Sequence, residues 1–160
     1  LKLAQKTIEY NYYNRVVAGH CSSLSLSPPR LFADTLTALS LSQITVVSLP
    51  MCNMYLQDRS VSGSTPKWRG IPPVQEMQKA GVHVVFASDN VRDAFYPYGD
   101  YDMLEVMSQS FRAAHLDGQT AYDWLVSITT SPGRVFRGVR RTDGSEEVDE
   151  VATGDERARE

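Results

Sequence analysis

Two residues of this chain stand where a parallel α/β protein does chemistry. His20 follows the apolar run Val16, Val17, Ala18 and Gly19, and Asp89 follows residues 82–87 and Ser88. An imidazole at a strand exit can trade protons near neutral pH or bind a metal. Equally, beside a glycine, it can be a hydrogen-bonded core residue or the partner of a helix dipole. A carboxylate closing an almost wholly apolar strand is harder to place without chemistry, because burying it unpaired costs on the order of several kcal/mol. Asp89 therefore reads as a metal ligand or proton acceptor, with a helix N-cap as the structural alternative. A third group, Asn53, Gln57 and Arg59, follows the apolar segment 44–49 and on its own reads as loop polar groups that satisfy backbone. Cys21 and Cys52 form neither a CxxC pair nor a metal-ligand spacing, so they read as reduced thiols of a cytoplasmic protein.

These residues need elements to hold them. Apolar positions Leu1, Ala4, Ile8 and Tyr12 recur at helical spacing, predicting a helix over residues 1–14. Residues 16–18 read as a short strand buried on both faces. A Ser-Pro-Pro start predicts a helix over 30–41 with Leu31, Phe32, Leu36 and Leu39 on its stripe. Residues 44–49 read as a second strand ended by Pro50, followed by a long polar stretch over 52–70. A helix over 74–80 is closed by Gly81, and 82–87 is the clearest strand. After an aromatic loop, Met103, Leu104, Met107 and Phe111 predict a helical face over 101–114. A last helix spans 120–130, broken by Ser131-Pro132-Gly133. Helices alternating with three apolar strands indicate parallel βα units. Polar exits at His20 and Asp89 favour an arc of a barrel over a small open sheet, since barrel sites are built from the loops at that face.

Composition narrows the classes. With 42% hydrophobic and 22% charged residues, the chain matches ordinary globular proteins rather than disordered or disulfide-scaffold ones. No apolar run has membrane-spanning length, and no basic patch interleaved with aromatics offers a nucleic-acid platform, so neither membrane nor nucleic acid is expected as a partner. The net charge of −3 is uneven: residues 142–160 carry eight acidic groups against two arginines. That end reads as a disordered acidic tail after a folded unit over 1–141.

The segments VVAGHCSSLS (16–25), NMYLQDR (53–59), TPKWRGIPPVQEM (65–77) and GVHVVFASDNVRDAFYPYGDYDMLEV (81–106) together resemble, in order and spacing, the carboxyl-terminal half of the cytosine deaminase group of the amidohydrolase superfamily. The resemblance covers about residues 1–137. It implies a partial (β/α)8 TIM-type barrel, strands six to eight with their helices, from a metal-dependent hydrolase of C–N bonds other than peptide bonds. The implied substrate is a cytosine-like or other small nitrogen heterocycle, and assembly into a homo-oligomer is compatible with it. His20 is similar to the family's histidine at the sixth strand, which stabilises charge during attack. Asp89 is similar to the aspartate at the eighth, which binds a divalent metal, Zn or Fe, and takes a proton from the attacking water. Asn90, Phe95 and Gln57 stand at substrate-side positions.

Departures from the family pattern are equally specific. The chain contains no His-x-His pair and no histidine followed shortly by the proton-shuttling glutamate of the fifth strand. His83 lies inside a strand and His115 near a helix end. Asp58 stands where a glycine is usual, Asn90 where an acid is usual, and the acidic tail where a small β domain normally follows. The chain alone is therefore expected to bind metal weakly and not to catalyse, and a His-x-His strand is expected upstream within about 150 to 300 residues. The rival expectation is a non-catalytic α/β module, either a remnant or a subunit that completes a barrel with another chain.

Overall fold

The computed structural model describes residues 1–118 and 121–140. The acidic stretch 142–160, with the tail expected there, lies outside the described residues. Three parallel strands, β1 (Val17–Gly19), β2 (Thr45–Ser48) and β3 (His83–Phe86), form one sheet in the order β1-β2-β3. Val17, Thr45 and His83 share one row across the sheet, and Ala18, Val46 and Val84 the next. Because side chains alternate along strands, the second row faces the core, where Val46, Val84 and Phe86 are buried and Ala18 packs against them. Here β1 departs from expectation: Val17 is 43% exposed and Gly19 is exposed, because β1 is an edge strand.

Helices cover the core side. α1 (Lys2–Glu9) buries Ala4 and Thr7 and stops five residues short of the expected end, with Tyr12 exposed. α2 (Pro29–Ser42) starts on a proline at its first turn, where no backbone donor is lost. It buries Thr35, Ala38, Leu39 and Ser42. The stretch expected to be polar loop begins instead with α3 (Pro50–Leu56), since Pro50 both ends the strand and opens a helix. α4 (Val74–Lys79) closes at Gly81, whose φ of +78° suits glycine.

α5 (Met103–Ala114) is capped by Asp102, which accepts from the Leu104 N–H at 2.8 Å. Its buried stripe is Val106, Met107 and Ser110, flanked by the half-buried Met103. Leu104, expected on that face, is 73% exposed. It lies one residue off the 103, 106, 107, 110 stripe, about 100° round the helix.

The expected helix over 120–130 is only α6 (Ala121–Leu125), which seats the buried Trp124 against Phe86. Ser131-Pro132-Gly133 does not break a helix but starts α7 (Ser131–Arg140). Proline is tolerated in the first turn, so the same three residues serve as a start.

Candidate active site

The three strand exits bring one functional side chain each to a common point. His20 follows β1 directly, and its N–H donates to the Val47 carbonyl at 3.0 Å. His20 and Cys21 both hold left-handed backbone, φ +64° and +51°, as does Asp89 after β3, φ +68°. For residues other than glycine this conformation costs on the order of 1–3 kcal/mol each, and such strain concentrates at functional sites. From β2 the chain enters α3 with only Leu49 between, which places Asn53 one turn into the helix and 2% exposed.

His20 Nδ1 lies 2.7 Å from Asn53 Oδ1, and His20 Nε2 lies 3.8 Å from Asp89 Oδ2. Asn53 Nδ2 donates to the Gly70 carbonyl at 3.1 Å. The His20 and Asp89 side chains are 49% and 21% exposed, so the pair is open to solvent on one side while Asn53 is sealed behind it. The sequence-derived pair is thus brought together. Asn53, read from sequence as an ordinary loop group, turns out to be its buried support. The available signal was its place three residues after Pro50 at a strand exit.

Cys52 is fully buried beneath the turn that carries Asp89. Its Sγ lies 3.4 Å from the Asn90 carbonyl and 3.8 Å from that of Ser88. Burial first, then the charge and hydrogen bond of Asp89, push the thiol up to about 12. In this chain Cys52 is therefore a protonated support of the 88–90 turn at neutral pH.

The substrate-side candidates are placed differently from one another. Asn90 is half-buried, and its side-chain amide donates to Asp93. Asp93 also accepts the N–H groups of Phe95 and Tyr96, each at 2.9 Å, and these bonds hold its carboxyl below the usual range. Phe95 is 65% exposed. Gln57 caps α3 and lies against Gly70. A feature not anticipated is the cluster Tyr55, Tyr96 and Tyr98, edge to face at 5.4–5.7 Å, with the Arg59 guanidinium 4.0 Å over Tyr55. It lines an open groove of about 470 Å³ beside α3.

Among the described residues, no group of three or more His, Cys, Asp or Glu could hold a metal ion. His20 and Asp89 offer two donors, whereas a zinc site takes about four ligands. The described residues do not by themselves fit a divalent ion.

Comparison with known proteins agrees with this geometry. The model of the amidohydrolase family matches residues 2–145. The chain belongs to the amidohydrolase family. It is 39% identical to the pterin deaminase of Rhizobium rhizogenes (strain K84) over 152 residues, covering 95% of this chain and 33% of that protein. It is 27% identical to the N-isopropylammelide isopropyl amidohydrolase of Pseudomonas sp. (strain ADP) over 145 residues, covering 91% of this chain and 32% of that one. Among solved structures it superposes on the 5-methylcytosine deaminase of Klebsiella pneumoniae liganded with 5-fluorocytosine. The TM-score is 0.78 at 26% identity, covering 84% of this chain and 32% of that chain. The resemblance to the cytosine deaminase group is borne out, and the chain spans about one third of the length of the curated relatives it matches.

Proposed function

We propose that this chain is the carboxyl-terminal part, strands six to eight with their helices, of an amidohydrolase barrel that removes an amino group from a small nitrogen heterocycle. The observation that carries the reading is the meeting of His20 and Asp89, 3.8 Å apart, at the carboxyl ends of two strands of one parallel sheet. In a parallel α/β barrel that end is where reacting groups converge. The family membership and the pterin and 5-methylcytosine deaminase relatives support hydrolytic deamination as the reaction class.

In the proposed reaction water adds to the ring carbon that bears the amino group, forming a C–O bond. The C–N bond then breaks and ammonia leaves. Asp89 takes the proton from the attacking water and returns it to the leaving nitrogen. His20 Nε2, facing the same space, accepts a hydrogen bond from the attacking water and so aims its oxygen at the ring carbon. Asn90, Phe95 and Gln57 are proposed on the substrate side. Of the described residues, Asp89 would be the one to hold the divalent ion implied by the family resemblance, Zn or Fe, which when bound would activate the attacking water. Reduced Cys21 and Cys52 fit a cytoplasmic setting.

The test uses the protein encoded by the complete reading frame, offered pterin, cytosine, 5-methylcytosine and an isopropylamino-triazine. Ammonia or amine release from at least one of them, together with a His-x-His strand encoded upstream of Leu1, is expected. A folded, metal-supplemented protein that releases nothing, or a frame that encodes no further strands, would overturn the proposal in favour of a non-catalytic module.

A further inference from the structure

We infer that Asn53 is a positioning residue that fixes the tautomer of His20, with the Gly70 carbonyl as its anchor. An asparagine amide has one end that only donates and one that only accepts. The Gly70 carbonyl can only accept, and it lies 3.1 Å from Asn53 Nδ2, so the amide's donor end is spoken for. Oδ1 then faces His20 Nδ1 at 2.7 Å. An amide oxygen has no hydrogen to give, so Nδ1 carries the proton and Nε2 of the neutral ring holds a lone pair.

That lone pair faces Asp89 Oδ2 across 3.8 Å. Two acceptors opposite one another leave a place for a group with hydrogens to give, such as an attacking water. With Nε2 protonated in the neutral ring, the same place would receive a competing donor. The chemical purpose of the tautomer rests on the deaminase reading above, whereas the tautomer itself does not.

Two further observations show that the relay is built. Asn53 is 2% exposed, so bulk water does not compete for its amide. Gly70 has φ +69°, and a Cβ there would lie 2.1 Å from Gln57 Cγ, 2.7 Å from Gln57 Cβ and 3.2 Å from the Asn53 carbonyl. Only glycine lets the backbone approach α3 closely enough to present its carbonyl to Asn53. The sequence link between Trp68-Arg69-Gly70 and a histidine fifty residues earlier thus runs through one buried amide.

The chain has three histidines, which makes its imidazole nitrogens separable. Long-range ¹H–¹⁵N spectra of the histidine-labelled full chain above about pH 8, where imidazoles are neutral, with His20→Gln for assignment, read the tautomer directly. His20 is expected as Nδ1–H. Asn53→Leu removes the amide at similar volume and should move the tautomer ratio about tenfold toward Nε2–H, the equivalent of one hydrogen bond. Asn53→Asp keeps the acceptor and should keep Nδ1–H. His20 found as Nε2–H in the unaltered chain would overturn the inference even if Asn53→Leu failed to fold, as would an unchanged ratio in a folded Asn53→Leu. Absence of ammonia release from the complete protein would instead overturn the deaminase reading and leave the tautomer result standing.

Discussion

Burial first, and then the nearby Asp89 charge, limit the Cys52 thiol. With its thiol pushed up to about 12 and no exposed surface, Cys52 stays protonated at ordinary pH. Iodoacetamide at pH 8 is therefore expected to alkylate Cys52 at least about a hundredfold more slowly in the native chain than in denaturant. Mass spectrometry of the labelled chain checks this, and equal rates would contradict the burial. His83 gives a pH signature of its own. Its Nδ1 lies 2.9 Å from Thr45 Oγ1, and burial, then the Arg134 charge, hold the imidazole below its ordinary value. The folded chain therefore keeps His83 neutral while the unfolded chain takes up a proton near pH 6.5. The stability it contributes is fully present above that value and is lost as pH falls towards the lowered folded value. Urea midpoints measured from pH 8 to 5 should decline, and His83→Gln should flatten the decline. An equally steep decline in the variant would contradict this. His20 and Asp89 were legible because polar residues ending apolar strands violate the local pattern. Asn53 was not, because its burial depends on the chain returning 17 residues later at Gly70.

The elements repeat that lesson. Pro50 and Pro132 each read as terminators in sequence, yet each sits in the first turn of a helix, because a proline's missing N–H has no partner to lose there. Sequence alone does not distinguish the end of one element from the start of the next at such a residue. Asp58, at a position where the resemblance implies a glycine, has φ +56°, a left-handed conformation that glycine adopts without strain. Its carboxylate compensates by accepting the Lys67 and Trp68 N–H groups at 2.6 and 3.0 Å, bonds that hold it below the ordinary carboxylate range. Gly70 has no such escape. Gly70→Ala combines a left-handed φ with a clash against Gln57 and is expected to cost about 2–4 kcal/mol in denaturant unfolding. A loss under about 0.5 kcal/mol would show that the 57–70 loop does not hold its described path. Asp102→Ala, which removes the cap of α5, is expected to cost about 1 kcal/mol by the same measurement.

At the scale of the molecule, three parallel strands with helices on one side make a sheet whose opposite row, Val17 and Gly19 included, is partly uncovered at β1. Such an edge is a template for further strands. The alternation of helices and apolar strands was readable from periodicity, whereas the expectation of a barrel arc rested on polar strand exits and motif order. No periodicity reports what lies beyond β1. The chain by itself is expected to show marginal stability or self-association, and a monodisperse monomer with a sharp, high melting transition would contradict its reading as an arc of a barrel. The central claim is that the exits of β1 and β3 form part of a hydrolytic centre. Its most direct test is the rate of ammonia release by the complete protein carrying Asp89→Asn. A fall of about 10²–10⁴-fold, with circular dichroism unchanged, is predicted for loss of a proton-transferring carboxylate. A rate within about tenfold of the unaltered protein would contradict the claim.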